Sequence, residues 1–561
     1  MKFEDYKYKR PNLEIFSDHI SKEISIINNS NTISVEIASI KNVFKLLDEV
    51  DAMRQLVNIR FDLDSSNIFY QNEKDFFDKN LPFIEKQKQL LVEKMINSPN
   101  QKELRNEFGD YLFEKYETLQ KTFDSNIIDL LQKENQLCTK YEQIIANAKI
   151  EYKGSFYSLS QFRQFINSDN RNIRHNAQLT ASKWYENHES QFDEIYETLV
   201  KLRTDIAKKL GYDNFVQLAY DRLGRLDYHA NDVKLFRNHI FKYVIPHVNS
   251  LIQRKGELLK IKKLKSYDLG LSFKNGNPKR IETSENILEQ AKTMYQEMSE
   301  NTEVFFTYLI EKNLLDLEPR AFKQSGGYCT YIPIFQSPFI VGNINGSSND
   351  YIAITHEVGH AYQVYQSRNL IPDYRWPSYE SAEICSMGME FLGWPWLSNF
   401  FDKDINKFKY KHLTDTIIFL PYCILVDEFQ HIIYENPNMT MKERKDTWRR
   451  LEIKYLPYKD YDDNSFLNKG TFWYKQWHIF CEPFYYIDYA LGQIVAFQIW
   501  NESQTDYKKV FSKYQRLCKL GGSKPYLSLL KAADLQNPFL EKTIRTTIEP
   551  IIKFINSLSI E

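Results

Sequence analysis

The pentapeptide His356-Glu357-Val358-Gly359-His360 constrains this chain more than any other stretch, because its chemistry works only on a helix. At about 100° of rotation per residue, positions 356 and 360 stand one turn apart on one face and can share a metal ion. Glu357 then reaches the water that completes a tetrahedral zinc site. With 11 histidines in 561 residues, such a string arises by chance in about one or two sequences per hundred. A catalytic zinc also needs a third protein donor, so a second element must pack against the His356 helix.

Candidates for that donor follow closely. Tyr379 to Leu392 reads as a second helix after the turn-forming Ile371-Pro372-Asp373 and Trp376-Pro377-Ser378, and it carries Glu380, Glu383 and Glu390. Glu383 and Glu390 are seven residues apart and share a face, so one can bind metal while the other holds a ligand imidazole. Glu380 competes as ligand, and spacing alone leaves the choice open. Gly359 leaves little bulk on the first helix.

Donors for a developing oxyanion concentrate between Trp477 and Tyr489, a segment holding His478, Tyr485, Tyr486 and Tyr489. On one continuous helix Tyr485 and Tyr489 fall near the His478 face and Tyr486 about 80° away. Pro483 breaks or starts the helix in between. His431 is a weaker metal candidate, while His412, His239 and His247 lack partners at ligand spacing and read as structural.

Composition bounds the class. Lys plus Arg number 73 against 74 Asp plus Glu, a net charge of -1 that supplies no general pull toward nucleic acid or an anionic membrane. Aromatic residues make up 15%, and Gly and Pro number only 18 each, which favours a mainly α protein over a turn-rich β chain. Helical spacing runs through Ile40 to Leu56 and Phe76 to Met95, with a turn at Asn97 to Asn100. A further helical run spans 169 to 210 and stops at Gly211. A soft boundary near Gly154 separates an N-terminal helical region, 1–150, from a catalytic region, 151–561, which together form one continuous body. The lysines 260, 262, 263 and 265 read as a solvated helix face.

Strand character gathers just before the metal helix, at Ser325 to Pro333 and Pro338 to Gly346. These segments predict a small sheet that either packs under the helix or offers a substrate an edge to pair with. The N-terminus has no apolar run after its basic residues and does not read as a secretory signal. The longest apolar run, Thr416 to Val426, is interrupted by Pro421 and predicts no membrane span. Six scattered cysteines, with no Cys-x-x-Cys pair, fit a reducing cytoplasm.

These motifs resemble the oligoendopeptidase F and thimet oligopeptidase family of zinc metallopeptidases, closest to its short bacterial, Pz-peptidase-like branch. The resemblance is carried by His356 to His360, SAEICSMGMEF (381–391), HIFCEPFYYIDYALGQ (478–493), GGYCTYIP (326–333) and PFIVGNINGSSND (338–350). In weaker form it includes Lys209 to Phe215 and Asp169-Asn170-Arg171, and it covers most of the chain from about 150 to 555. It implies a two-lobed helical body with a deep substrate channel and a small β-sheet beside the zinc helix. It implies one Zn2+ per chain, with Glu383 as third ligand, Glu390 as its support and Glu357 as general base and acid. It also implies that His478 and a tyrosine pair spaced by three, Tyr486 and Tyr489, face the scissile bond, whereas helical geometry favours Tyr485. Cys385 departs from close relatives, which often have histidine there.

The expected activity is hydrolysis of internal bonds in short unstructured peptides. A zinc carboxypeptidase or dipeptidase of related fold is the nearest rival, and a peptide-binding protein without turnover the more distant one.

Overall fold

The computed structural model describes residues 1–30, 32–281, 287–324 and 326–560, and helices dominate it while strands are few and short. The mainly α expectation holds. Ile40 to Leu56 lies within the helix Ile33–Leu63, and Phe76 to Met95 within Ile68–Ile96. Asn67 starts the latter by accepting from the backbone N–H groups of Phe69 and Tyr70, which otherwise have no helical partner.

Contacts divide the chain into two compact units, each assembled from three separated stretches. Met1–Gln120, Lys279–Lys403 and Gln498–Gln536 form the first; Lys121–Pro278, Asp404–Phe497 and Asn537–Glu561 form the second. Residue 150 falls inside the second unit, in the antiparallel pair Ile150–Tyr152 and Ser155–Tyr157. Lys153 and Gly154 make its tight turn at φ of 52° and 80°.

In the first unit the N-terminal helices enclose an apolar core that includes Ile40, Val43, Leu91, Leu104, Leu112 and Phe113. Buried polar contacts tie these helices to the loop between the His356 and Glu383 helices. Asp373 accepts from Lys88 Nζ at 2.8 Å and from the Tyr116 hydroxyl at 2.9 Å, and Lys115 Nζ donates to its carbonyl oxygen at 3.0 Å. Burial opposes ionisation of Asp373, but the ammonium groups of Lys88 and Lys115 outweigh it and hold the carboxyl down at about 2. A folded-state pKa below the unfolded value of about 3.9 stabilises the fold above that value. The contribution is lost as pH falls from about 4 through about 2. Asp373→Asn is expected to destabilise the protein at pH 7 by about 3 kcal/mol, because it leaves buried cations without their partner. In denaturant titrations the gap between variant and wild type narrows below about pH 4. A gap that is constant from pH 7 to 3 would show that the charge is not what matters.

Beside the metal helix, Tyr328–Ile332 runs antiparallel to Ser337–Val341, which pairs in parallel with a third strand, Leu315–Asp316. That third strand carries no sequence signal, since two residues cannot show a period. Ser337–Val341 is central and buried at every residue, and Tyr328–Ile332 lies at the edge. Of the expected strand residues, Ser325 lies outside the described residues, and Gly342 to Gly346 have left the sheet.

In the second unit the expected run over 169 to 210 is two helices, Arg171–Asn187 and Glu189–Lys209. They are separated at His188, whose Nδ1 lies 2.8 Å from the Trp184 carbonyl oxygen. Gly211 ends the run as expected, at φ 84°. The apolar run Thr416 to Val426 belongs to a longer helix, Ile405–Glu435, that passes through Pro421. By length and composition this helix is apolar enough to cross a membrane, which the shorter run was not expected to be; 67% of its apolar window is buried inside the protein.

Candidate metal centre

His356, Glu357 and His360 stand on the helix Asn349–Gln366, and Glu383 and Glu390 on Tyr379–Leu392, both in the first unit. The two helices meet closely at Gly359. A Cβ there would lie 2.5 Å from the Cys385 carbonyl oxygen and 2.7 Å from Ser386 Cα, distances that no side chain tolerates. Close approach brings Glu383 Oε2 to 3.5 Å from His356 Nε2 and 4.0 Å from His360 Nε2.

All three donor atoms lie within 4.8 Å of one another. Donors bound at 2.0–2.1 Å around a tetrahedral ion are separated by about 3.3 Å, so a small contraction suffices to hold one ion. Two imidazoles and a carboxylate, with no thiolate, are a donor set that fits a catalytic zinc. His356 Nδ1 sits 2.8 Å from Glu390 Oε1, which holds the ring with Nε2 aimed at the metal position. Ser386 Oγ donates to Glu383 Oε2 at 3.1 Å. Glu380 is buried on the same helix but outside the converging trio. Cys385 turns its Sγ to within 4.0 Å of Cys518 Sγ, leaving the ligand set unchanged.

The charges are closely coupled. Burial pushes the Glu357 carboxyl up to about 7, with the neighbouring His356 charge pulling the other way. Burial also opposes the charge on His356, but its hydrogen bond to Glu390 and the nearby Glu383 carry it up to about 9. His360 is pushed well down by burial and by the His356 charge. Glu357 Oε2 is buried and has no hydrogen-bond partner among the described residues, so this carboxylate is not committed to holding the fold. Gly327, just ahead of the edge strand, borders it: a Cβ at Gly327 would lie 3.4 Å from Glu357 Oε1. The sheet thus packs against the metal helix and also presents an edge beside Glu357, compatible with both readings of these strands.

His478 and the three tyrosines lie in the second unit. Trp477–Cys481 is one short helix and Tyr486–Ser503 another; between them Phe484 takes a φ of 69°, so the continuous helix behind the angular argument does not exist. All three rings nonetheless surround His478. Tyr485 stacks on the imidazole with centroids 5.3 Å apart, while Tyr486 and Tyr489 meet it edge-on at 5.0 and 5.7 Å. The Tyr489 hydroxyl lies 3.4 Å from His478 Nε2. Burial drives the imidazole down to about 4, so it is neutral at pH 7. A support that spacing could not reveal is Gln476, whose Nε2 lies 2.9 Å from His478 Nδ1 and whose Oε1 accepts from the Tyr422 hydroxyl at 2.8 Å.

Other histidines remain structural. His431 sits 3.6 Å from Asp427 and 3.3 Å from the Tyr220 hydroxyl, outside any metal-holding group among the described residues. His175, Asp462 and Asp463 also converge, but on the surface, where Lys265 already pairs with Asp462 at 2.7 Å.

Residues 164–547 match peptidase family M3, and residues 3–123 match the peptidase M3 N-terminal domain. Among solved structures, PZ peptidase A with inhibitor 2 is 41% identical to this chain, with a TM-score of 0.95 and 100% of both chains covered. A protein provisionally named oligoendopeptidase F is 39% identical, with a TM-score of 0.95, covering 100% of this chain and 99% of its own. A second, from Bacillus anthracis, is 38% identical, with a TM-score of 0.90 over 100% and 99%. No curated protein matched the chain.

Proposed function

We propose, from the premise that this chain belongs to peptidase family M3, that His356, His360 and Glu383 hold a single zinc ion and that Glu357 moves the protons of hydrolysis. The chain is a metallo-oligopeptidase that cuts peptides internally. The observation that carries the assignment is the convergence of three donor atoms within 4.8 Å while Glu357, next to a ligand, takes no part in ligation.

Bound there, zinc supplies Lewis acidity that polarises a peptide carbonyl and makes water a usable nucleophile. Glu357 accepts the water's proton during attack and returns it to the leaving amine. Glu390 keeps His356 in the tautomer that leaves Nε2 available. His478, with Tyr486 and Tyr489, donates hydrogen bonds to the substrate or its oxyanion, a role supported by the resemblance and by the neutral imidazole among hydroxyl-bearing rings. Tyr485 supports the imidazole by stacking on it. The strand Tyr328–Ile332 serves as a rail for extended substrate, since its outer edge begins beside Glu357. Six free cysteines support work in a reducing cytoplasm.

A peptide acetylated at its N-terminus and amidated at its C-terminus separates this reading from an exopeptidase. Mass spectrometry is expected to show one or more internal cuts, abolished by chelation and restored by zinc. An intact blocked peptide, beside a trimmed unblocked one, favours the carboxypeptidase or dipeptidase reading.

A further inference from the structure

Two half-exposed cysteines of the second unit, 343 residues apart in sequence, stand against each other, and the proposed mechanism uses neither. Cys138 lies on the helix Ile128–Ala146, and Cys481 ends the short helix Trp477–Cys481 that carries His478. Cys138 Sγ donates to the Phe480 carbonyl oxygen at 3.7 Å, and Cys481 Sγ donates to the Cys138 carbonyl oxygen at 4.0 Å. Each sulfur thus lies against the backbone that bears the other. The next turn fixes the pairing: Tyr141 stacks on Phe480 with centroids 4.2 Å apart, and Trp477 Nε1 donates to Glu142 Oε1 at 2.8 Å.

The two thiols are not equivalent. Arg203 Nη2 donates to the same Phe480 carbonyl oxygen at 2.6 Å, which places a buried guanidinium beside Cys138. Contact with the Cys481 thiol lowers the Cys138 thiol from its ordinary value and Arg203 adds to this, while burial, Glu134 and Glu142 oppose it. The same contact pushes Cys481 up. One sulfur is therefore the readier nucleophile and the other a protonated partner beside it. A second pair shows what proximity alone lacks: Cys385 and Cys518 stand 4.0 Å apart, Sγ to Sγ, but at 1% and 0% exposure they are closed to solutes. Cys138 and Cys481 both meet solvent.

We propose that Cys138 and Cys481 form a reversible dithiol site oxidised by hydroperoxides, with Cys138 as the attacking sulfur and Cys481 as the resolving one. The Cys138 thiolate attacks one peroxide oxygen: an S–O bond forms, the O–O bond breaks, and the other oxygen leaves as hydroxide or alkoxide and takes up a proton. Cys481 then attacks the sulfenic sulfur: an S–S bond forms, the S–O bond breaks, and the departing hydroxide takes the Cys481 proton and leaves as water. Each sulfur gives up one electron and the peroxide takes both. An external dithiol reverses the reaction by exchange and is itself oxidised. A transient pair of this kind is the sort of disulfide that a reducing compartment permits. The bond ties the helix that carries His478 to Ile128–Ala146, one turn from the imidazole.

The test treats the intact enzyme with hydrogen peroxide, blocks the remaining thiols by alkylation and maps a digest by mass spectrometry. A Cys138–Cys481 disulfide within one chain is expected, formed at least about tenfold faster than any other cysteine is oxidised and removed by dithiothreitol. Cys481→Ser is expected to leave Cys138 as a sulfenic acid that dimedone traps. Cys138→Ser is expected to slow oxidation of Cys481 by about tenfold or more. If either variant does not fold, the wild-type digest still decides. Cys138 and Cys481 both free after peroxide, oxidation that goes first to Cys385 and Cys518, or a link between two chains overturns the assignment. Oxidation of Cys481 at the same rate with and without Cys138 overturns the order of attack. The readout is the bond itself, so it stands apart from whether the chain cuts peptides internally.

Discussion

Glu357→Gln is expected to bind its metal as the wild type does and to lose hydrolysis by about 10³-fold to 10⁴-fold in kcat. The substitution keeps the shape of the side chain and leaves His356, His360 and Glu383 in place. What it removes is an oxygen able to take a proton. Glu357 Oε2 has no partner among the described residues, so no protein hydrogen bond at that atom is broken and the fold has little to lose. Metal content measured on purified protein, beside kcat on a blocked peptide, separates this outcome from loss of the site. Metal-loaded variant enzyme with wild-type turnover would falsify the assignment of Glu357 as base.

Gly359→Val is expected to damage the protein by a different route, through packing. The branched side chain is forced onto the backbone of the Glu383 helix, where even the Cβ would approach the Cys385 carbonyl oxygen to 2.5 Å and Met389 Cβ to 3.0 Å. The two nearest atoms, the Cys385 carbonyl oxygen and Ser386 Cα, are backbone and cannot swing away. The helices must separate, at a cost of about 3 kcal/mol or more in stability. Separation also pulls Glu383 from the two imidazoles, so metal affinity falls by at least about tenfold. Gly359→Ala follows in the same direction. A competitive metal titration together with thermal unfolding measures both effects; an Ala variant unchanged in both would mean that the helices have slack at this crossing.

The ligand pair His356 and His360 was legible in the sequence because their relation is local: four residues on a helix fix it. Glu383 was not legible by spacing alone. Three carboxylates on one predicted helix satisfied the same periodic argument, and only the family resemblance singled one out. The crossing at Gly359 explains why Glu383 faces the imidazoles: it sets the rotation of one helix against the other, a tertiary fact with no local signature. The His478 cluster shows the opposite case. Its membership was foreseen, but the angular ranking assumed one helix, and Phe484 at φ 69° interrupts it. The split of 169–210 at His188 was equally hidden, since helical spacing on both sides continues nearly in phase.

The unit that carries the metal ligands is assembled from stretches that begin at Met1 and end at Gln536. Its last piece includes the helix Tyr507–Leu520, whose Tyr514 hydroxyl donates to the Cys385 carbonyl oxygen at 2.8 Å and whose Gln515 bonds the Tyr362 hydroxyl at 3.0 Å. Both contacts brace the ligand helices from behind. During synthesis the ribosome therefore releases His356, Glu357, His360 and Glu383 long before the helix that braces them, and a nascent chain arrested before about residue 500 has every ligand but not the completed unit. Proteolytic competence then waits on the docking of Gln498–Gln536.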